Sequence, residues 1–292
     1  MQRGVMTETA TRPFGHLPAI AASLGHVFMR PKAVAVACVV ALAGLGWFYL
    51  ALLAAASGTF DGTWVGALQG LCRALPEGAQ SPFAILLVAS MWSAMTLAMM
   101  LPSAAPMILT YAEIAETAAR KSEPIVSPLV IAGGYAGVWL LFSIAAAAAQ
   151  LVLTRIAMLD AGTSTASGLF SAAIFIVAGV YQFSRFKHAC LTHCQQPFPF
   201  FFVNWATTPR GVFRLGVKQG LYCLGCCWAL MLVMFAVGVM NVAWMAGLAM
   251  VMTVEKLQNG RRLTYAAGAA MIGIGVAVGI AAFAAHWPAS NG

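Results

Sequence analysis

Charged side chains are scarce in this sequence. Only 8% of its 292 residues are Asp, Glu, Lys or Arg, whereas 61% are apolar. Soluble domains are usually about 25% charged and about 45–50% apolar, so ionised side chains could not cover a water-facing surface here. The composition excludes most soluble enzyme classes and indicates an all-α, polytopic membrane protein, because backbone polar groups in lipid must be satisfied within helices.

Several sequence signatures of enzymes and transporters are also missing. No Gly-rich loop ends in Lys-Ser or Lys-Thr, which argues against ATP-driven transport by this chain alone. No Cys-x-x-Cys-His motif is present, so covalent c-type haem is excluded, and the five histidines are too few and too peripheral for a haem held by two of them. No nucleic-acid-binding motif is visible. We therefore do not expect the chain to be an enzyme on its own.

Seven apolar runs approach the length of about 20 residues with which an α-helix crosses about 30 Å of hydrocarbon. The predicted spans are 33–56, 83–110, 128–153, 168–186, 217–238, 242–257 and 264–285. They predict a single transmembrane domain over 33–285, preceded by a polar segment (1–32) and followed by a short tail (286–292). Six spans are the alternative, if one apolar segment only enters the membrane without crossing it.

Two of these boundaries depend on proline and on length. Pro102 and Pro106 predict a kink or an end in the second helix. The run 198–203 lies among prolines and is too short to span, so an interfacial or re-entrant element is expected there.

The basic residues predict the orientation. The formal net charge is +8, and such an excess in a membrane protein usually reflects topology. With the N-terminus in the cytoplasm, 14 of the 16 Lys and Arg residues fall on the cytoplasmic side, and only Arg73 and Arg155 fall outside. This distribution follows the positive-inside rule and predicts a cytoplasmic N-terminus.

Five of the seven cysteines form two short clusters. Cys190, His193 and Cys194 have the spacing i, i+3, i+4, as do Cys223, Cys226 and Cys227, so each set shares one helix face. Thiolate and imidazole together suit Cu(I), zinc or an iron–sulfur cluster. The alternative is that these cysteines are small packing residues. Two clusters on the same predicted side of the membrane favour the metal site, and the reducing side disfavours a disulfide.

Thioether sulfur follows one stripe of the second helix. Met91, Met95 and Met99 have the spacing i, i+4, i+8, and Met250 or Met252 of the sixth helix could face them. Thioethers bind Cu(I) well because both partners are soft. Methionine is also a common flexible core residue, and for the stripe alone packing is the stronger interpretation.

Glu255 lies inside the apolar end of the sixth helix, next to Lys256. An ionisable residue within a span is costly and usually faces a partner or a cavity. We expect Glu255 to point into the bundle as a ligand, a proton carrier or an ion-pair partner. An interfacial pair with Lys256 or Arg261 is the alternative.

The sulfur-rich segments resemble a known family. The strings that carry the resemblance are Met91-x-x-Ala94-Met95, Met99-Met100-x-Pro102, Lys187-x-x-Cys190-Leu191-x-x-Cys194, Tyr222-Cys223-Leu224-Gly225-Cys226-Cys227-Trp228 and Glu255-Lys256. They are similar to those of a bacterial family described as predicted metal-binding integral membrane proteins of unknown function. The resemblance implies a metal-binding protein of the bacterial inner membrane, and it does not identify the metal.

The sequence therefore predicts a multi-pass membrane protein that handles copper. It would transport Cu(I) or deliver it to a membrane or exported copper protein, with the lipid bilayer and a copper acceptor as partners and no nucleic acid. The alternative is an accessory or structural subunit of a larger membrane oxidoreductase complex, in which the cysteines are only packed. A third possibility is that the chain is itself a metalloenzyme.

Overall fold

The computed structural model describes residues 36–37, 39–49, 82–121, 126–156, 167–238, 241–258 and 260–286. The predicted segment 1–32 and most of the tail 286–292 lie outside these residues. The described part of the chain is helical and contains no strand. Its nine helices are α1 (Val39–Tyr49), α2 (Pro82–Arg120), α3 (Pro128–Arg155), α4 (Gly168–Tyr181), α5 (Arg185–Gln195), α6 (Pro197–Val203), α7 (Pro209–Val237), α8 (Val242–Leu257) and α9 (Arg262–His286).

Among the described residues, four helices are long and apolar enough to cross a membrane: α2, α3, α7 and α9. The pair α4 and α5 passes the same test when it is taken as one broken span. Helix α8 has the bounds predicted for the sixth span, but its 16 residues are short for a crossing. Of the first span, the structure describes the eleven-residue helix α1 and residues 36–37 before it. The all-helical prediction is confirmed, with four or five potential spans in the described residues.

Of the kink or end predicted at the prolines of the second helix, the end is wrong, because α2 continues to Arg120 through Pro102 and Pro106. A proline cannot donate to the carbonyl four residues earlier. For Pro102 that carbonyl belongs to Ala98, and the indole Nε1 of Trp47 donates to it at 3.1 Å. A neighbouring helix therefore satisfies the backbone group that the proline leaves free.

The fourth predicted span is also corrected, because its helix breaks before Phe186. The chain bends by 64° between α4 and α5. Ser184 begins α5 as its N-cap, with its hydroxyl accepting from the backbone N–H of Lys187 at 3.1 Å. The bend places α5 against α7. It so brings the first cysteine segment, with Cys190 and Cys194, against the second, with Cys223, Cys226 and Cys227.

Glycines set the closest helix contacts. A Cβ on Gly216 of α7 would overlap the carbonyl oxygen of Ile131 on α3, and a Cβ on Gly220 would lie 2.9 Å from Val138 Cγ2. These two residues use their i, i+4 spacing for close packing, as small residues do in membrane bundles. The same spacing at Gly133 and Gly137 meets open space.

The helix ends that carry basic residues lie at one end of the bundle. Successive contacts of α7 with α3 run in the same chain direction, so α3 and α7 are parallel. Helix α4 runs against α7, since Ser171 contacts Ala236 and Tyr181 contacts Gly225. The end of α2 and the starts of α3 and α7 therefore share one end, which we call the basic end; it carries Arg120, Lys121, Arg210 and Arg214. The cytoplasmic location of this end stays a prediction.

Candidate metal-binding site

Three thiols of α7 form a compact cluster in the core. The Sγ atoms of Cys223, Cys226 and Cys227 all lie within 4.8 Å of one another, and each residue is 1% exposed. Cys226 and Cys227 have their Sγ atoms 3.2 Å apart. All three are free cysteines. The i, i+3, i+4 spacing places them on one face, as predicted from the sequence. We call this group the thiol cluster.

Two neighbouring helices fix the position of Cys223. The hydroxyl of Tyr135 on α3 lies 3.0 Å from Cys223 Sγ and donates to the carbonyl of Met100 on α2 at 3.2 Å. Tyr135 stands seven residues, about two helical turns, after the start of α3. The thiol cluster therefore lies inside the bundle, about two turns from the start of α3 and at the middle of α7.

A buried lysine completes the surroundings of the cluster. Lys256 Nζ donates to Cys223 Sγ at 3.1 Å and to the hydroxyl of Ser103 at 2.6 Å, and the residue is 7% exposed. Sequence reasoning considered Lys256 only as a partner for Glu255 and missed its contact with sulfur. The available signal was a lysine within an apolar helix, since such a cation needs an anionic or polar partner.

The first cysteine segment reaches the thiol cluster through one residue. Cys194 of α5 is half-buried and lies near enough to Cys223 and Cys226 to interact with their side chains. Cys190 packs instead on Gly225, where an added Cβ would lie 2.7 Å from its Sγ. His193 is exposed, and its ring stacks on Tyr222 with centroids 4.2 Å apart. The two segments meet, and Cys194 is the member of the first that faces the cluster.

Glu255 points into the bundle, as expected, but toward a different partner. Its Oε2 accepts from Lys187 Nζ at 2.8 Å, and both side chains are essentially inaccessible to solvent. Lys187 also donates to the side-chain oxygen of Gln182. The pair with Lys256 or Arg261 considered from the sequence is replaced by this ion pair between α8 and α5. Glu255 is not part of the group of close potential metal ligands that the described residues form.

The methionines of α2 enter the same core. Met95 and Met99 are fully buried in one hydrophobic cluster with the three cysteines, and Met91 is half-buried against it. Of the two methionines of α8 predicted as alternatives to face the stripe, Met252 belongs to this core, whereas Met250 is 68% exposed and does not. The stripe precedes Met100 in α2 and therefore lies on the side of the thiol cluster away from the basic end.

The donor set determines which ions could bind. Three close thiolates are soft ligands, which suit Cu(I), zinc and iron–sulfur clusters and do not suit magnesium or calcium. Within the described residues, the close group of potential ligands contains cysteine alone and no carboxylate. Burial away from water and the neighbouring thioethers add to the soft character of the site.

Comparison with known proteins identifies the family. A family model named PpoB2 and described as copper chaperone matches residues 89–278, which is more than half of the chain. The match contains α3 to α8, the whole thiol cluster and most of α2. Comparisons with curated proteins and with solved structures gave no match. With its sulfur-lined core and a family match over most of its length, the chain belongs to the PpoB2 copper chaperone family.

Proposed function

We propose that this chain is a multi-pass protein of the bacterial inner membrane that binds Cu(I) and delivers it to a membrane or exported copper protein. The observation that carries the proposal is the thiol cluster, three buried Sγ atoms within 4.8 Å of one another in a chain of a copper chaperone family. Thiolates bind Cu(I) strongly because ligand and ion are both soft. Copper is the cargo of such a protein, and zinc is the competing ion.

Loading from the cytoplasm is supported by the position of α5, whose end contacts Gln219 in the half of α7 toward the basic end. The positive-inside rule assigns that end to the cytoplasm. Cys194 is the half-buried thiol beside the cluster, so it is suited to receive the ion first. Cys223, Cys226 and Cys227 then hold it away from water.

Anaerobic titration of the purified full-length protein with Cu(I), against a chromogenic Cu(I) chelator, tests this proposal. We expect about one tightly bound Cu(I) per chain and copper–sulfur scattering in the X-ray absorption spectrum of the loaded protein. A native purification from membranes is the companion measurement. Absence of Cu(I) binding, together with a stably associated membrane oxidoreductase, would instead support a role as an accessory subunit.

We further propose that the thioethers of Met91, Met95 and Met99 carry the ion onward from the thiol cluster. This proposal is supported by the buried positions of Met95 and Met99 in the core that contains the cysteines. It is also supported by the position of these methionines on the side of the thiol cluster away from the basic end. An exported ion must move in that direction.

The triple variant Met91→Leu, Met95→Leu, Met99→Leu tests the thioether path. Leucine has nearly the volume and apolarity of methionine, so we expect a folded protein with a stability loss below about 1.5 kcal/mol at each site. Cu(I) binding at the cysteines should persist, while copper delivery in cells, measured as activity of a copper-dependent acceptor, should be lost. The exposed Met250→Leu exchange is the matched control. Delivery at the parent level in the triple variant would assign the stripe to packing.

A further inference from the structure

The end of α8 places two opposite charges in two different environments. Glu255 and Lys256 are consecutive, so their side chains leave the helix about 100° apart. Glu255 pairs with Lys187 on α5, while Lys256 reaches the thiol cluster. Each charge therefore has its own partners on other helices, and the ammonium group of Lys256 is not neutralised by the adjacent carboxylate.

The hydrogen bonds of Lys256 hold its charge next to sulfur. Ser103 accepts from Nζ at 2.6 Å on one side, and Cys223 Sγ lies 3.1 Å away on the other. Ser103 is itself anchored, because its hydroxyl donates to the carbonyl of Met100 at 2.8 Å. A cation fixed at this distance and 7% exposed interacts with the cluster with little screening by solvent or salt.

The charge of a loaded thiol cluster depends on the ion, and this step rests on the proposed function. Three thiolates carry three negative charges, so a Cu(I) complex has a net charge of −2 and a Zn(II) complex with the same ligands has −1. The Coulomb energy with a fixed positive charge scales with the charge of the complex. Lys256 therefore stabilises the Cu(I) complex about twice as strongly as the Zn(II) complex.

We infer that Lys256 is a specificity-determining residue, which favours a monovalent soft ion over a divalent ion at the thiol cluster. The cysteines supply the bonds to either metal, and the ammonium group supplies the preference for the more negative complex. Burying the ammonium group of Lys256 is costly unless a negative charge compensates it. Of the two loaded forms, the Cu(I) complex supplies the larger negative charge and compensates it best.

The experiment measures two affinities in the purified full-length protein under anaerobic conditions at one fixed pH. Cu(I) and Zn(II) affinities are determined by competition with chelators for wild type and for Lys256→Met. We expect the ratio of Cu(I) to Zn(II) affinity to fall by about tenfold or more in the variant, since Cu(I) loses the larger interaction. Lys256→Arg keeps the charge and should retain most of the ratio.

Lys218→Met is the matched control, because Lys218 is an exposed lysine whose Nζ contacts Asn204 Oδ1 at 3.4 Å. It should leave both affinities unchanged. If Lys256→Met does not purify as a folded protein, Lys256→Gln, which can still hydrogen-bond to Ser103, provides the same measurement. Equal losses of Cu(I) and Zn(II) affinity in the charge-removing variant, or no loss, would overturn the inference. Failure of wild type to bind Cu(I) at all would refute the proposed function instead.

Discussion

Replacement of Cys223 by serine is expected to reduce Cu(I) affinity by at least about 100-fold. Loss of a group that only supports a ligand typically costs about 10–100-fold in metal affinity, and Cys223 is proposed as a ligand itself. It is also the thiol that contacts both Tyr135 and Lys256, so its replacement also removes the contact between the thiol cluster and the ammonium group of Lys256. Competition against a Cu(I) chelator measures the effect, with copper content of the purified protein as a second readout.

Cys190→Ser is the matched control for this experiment. Cys190 is a buried thiol on the neighbouring helix and undergoes the same chemical change, but its Sγ packs on Gly225 rather than on the cluster. We expect it to retain parent affinity within about threefold, well under the 10–100-fold cost of a supporting group. If Cys190→Ser loses copper as completely as Cys223→Ser, Cys190 of α5 would have to be assigned to the copper site.

Glu255→Gln is expected to destabilise the protein by about 3–5 kcal/mol, because it leaves Lys187 charged and buried without its carboxylate. The Lys187 and Glu255 side chains are 0% and 1% exposed, so water cannot replace the lost partner. Unfolding in detergent followed by circular dichroism measures the change. The effect should appear as lost stability, with Cu(I) affinity of the surviving folded protein close to that of wild type.

Two further variants separate the ion pair from general damage. The double variant Lys187→Met, Glu255→Gln removes both charges and should recover most of the lost stability, as replacing a buried pair by neutral groups often does. Glu116→Gln breaks an exposed pair with Arg120, whose side chains are 36% and 77% exposed. We expect it to cost less than about 1 kcal/mol. A double variant as unstable as Glu255→Gln alone would contradict the charge explanation.

Local periodicity explains what could be predicted from the sequence. Helix α8 has the predicted bounds, and Cys223, Cys226 and Cys227 share a face because helical spacing is a property of the segment itself. The burial of Glu255 followed from the cost of a charge in an apolar span. These predictions needed no knowledge of neighbouring helices.

Contacts between distant segments explain what could not be predicted. Helix α2 passes its prolines because Trp47, 51 residues before Ala98, donates to the freed carbonyl. The choice of Lys187 over Lys256 as the partner of Glu255 depends on the bend between α4 and α5. The approach of Lys256 to Cys223 likewise depends on how α8 packs between α2 and α7. Residue spacing within one helix contains no information about these contacts between different helices.

The burial of the thiol cluster has a consequence for kinetics. Cys223, Cys226 and Cys227 are each 1% exposed, so a chelator in solution cannot attack an ion bound there without local opening. At the proposed site, copper exchange would then require local opening, for example separation of α5 from α7, as well as breakage of the metal–sulfur bonds. An acceptor that binds beside Cys194 and loosens this contact can accelerate release without changing the affinity of the closed protein. Tight retention in the absence of the acceptor and rapid transfer in its presence are thus compatible in one site.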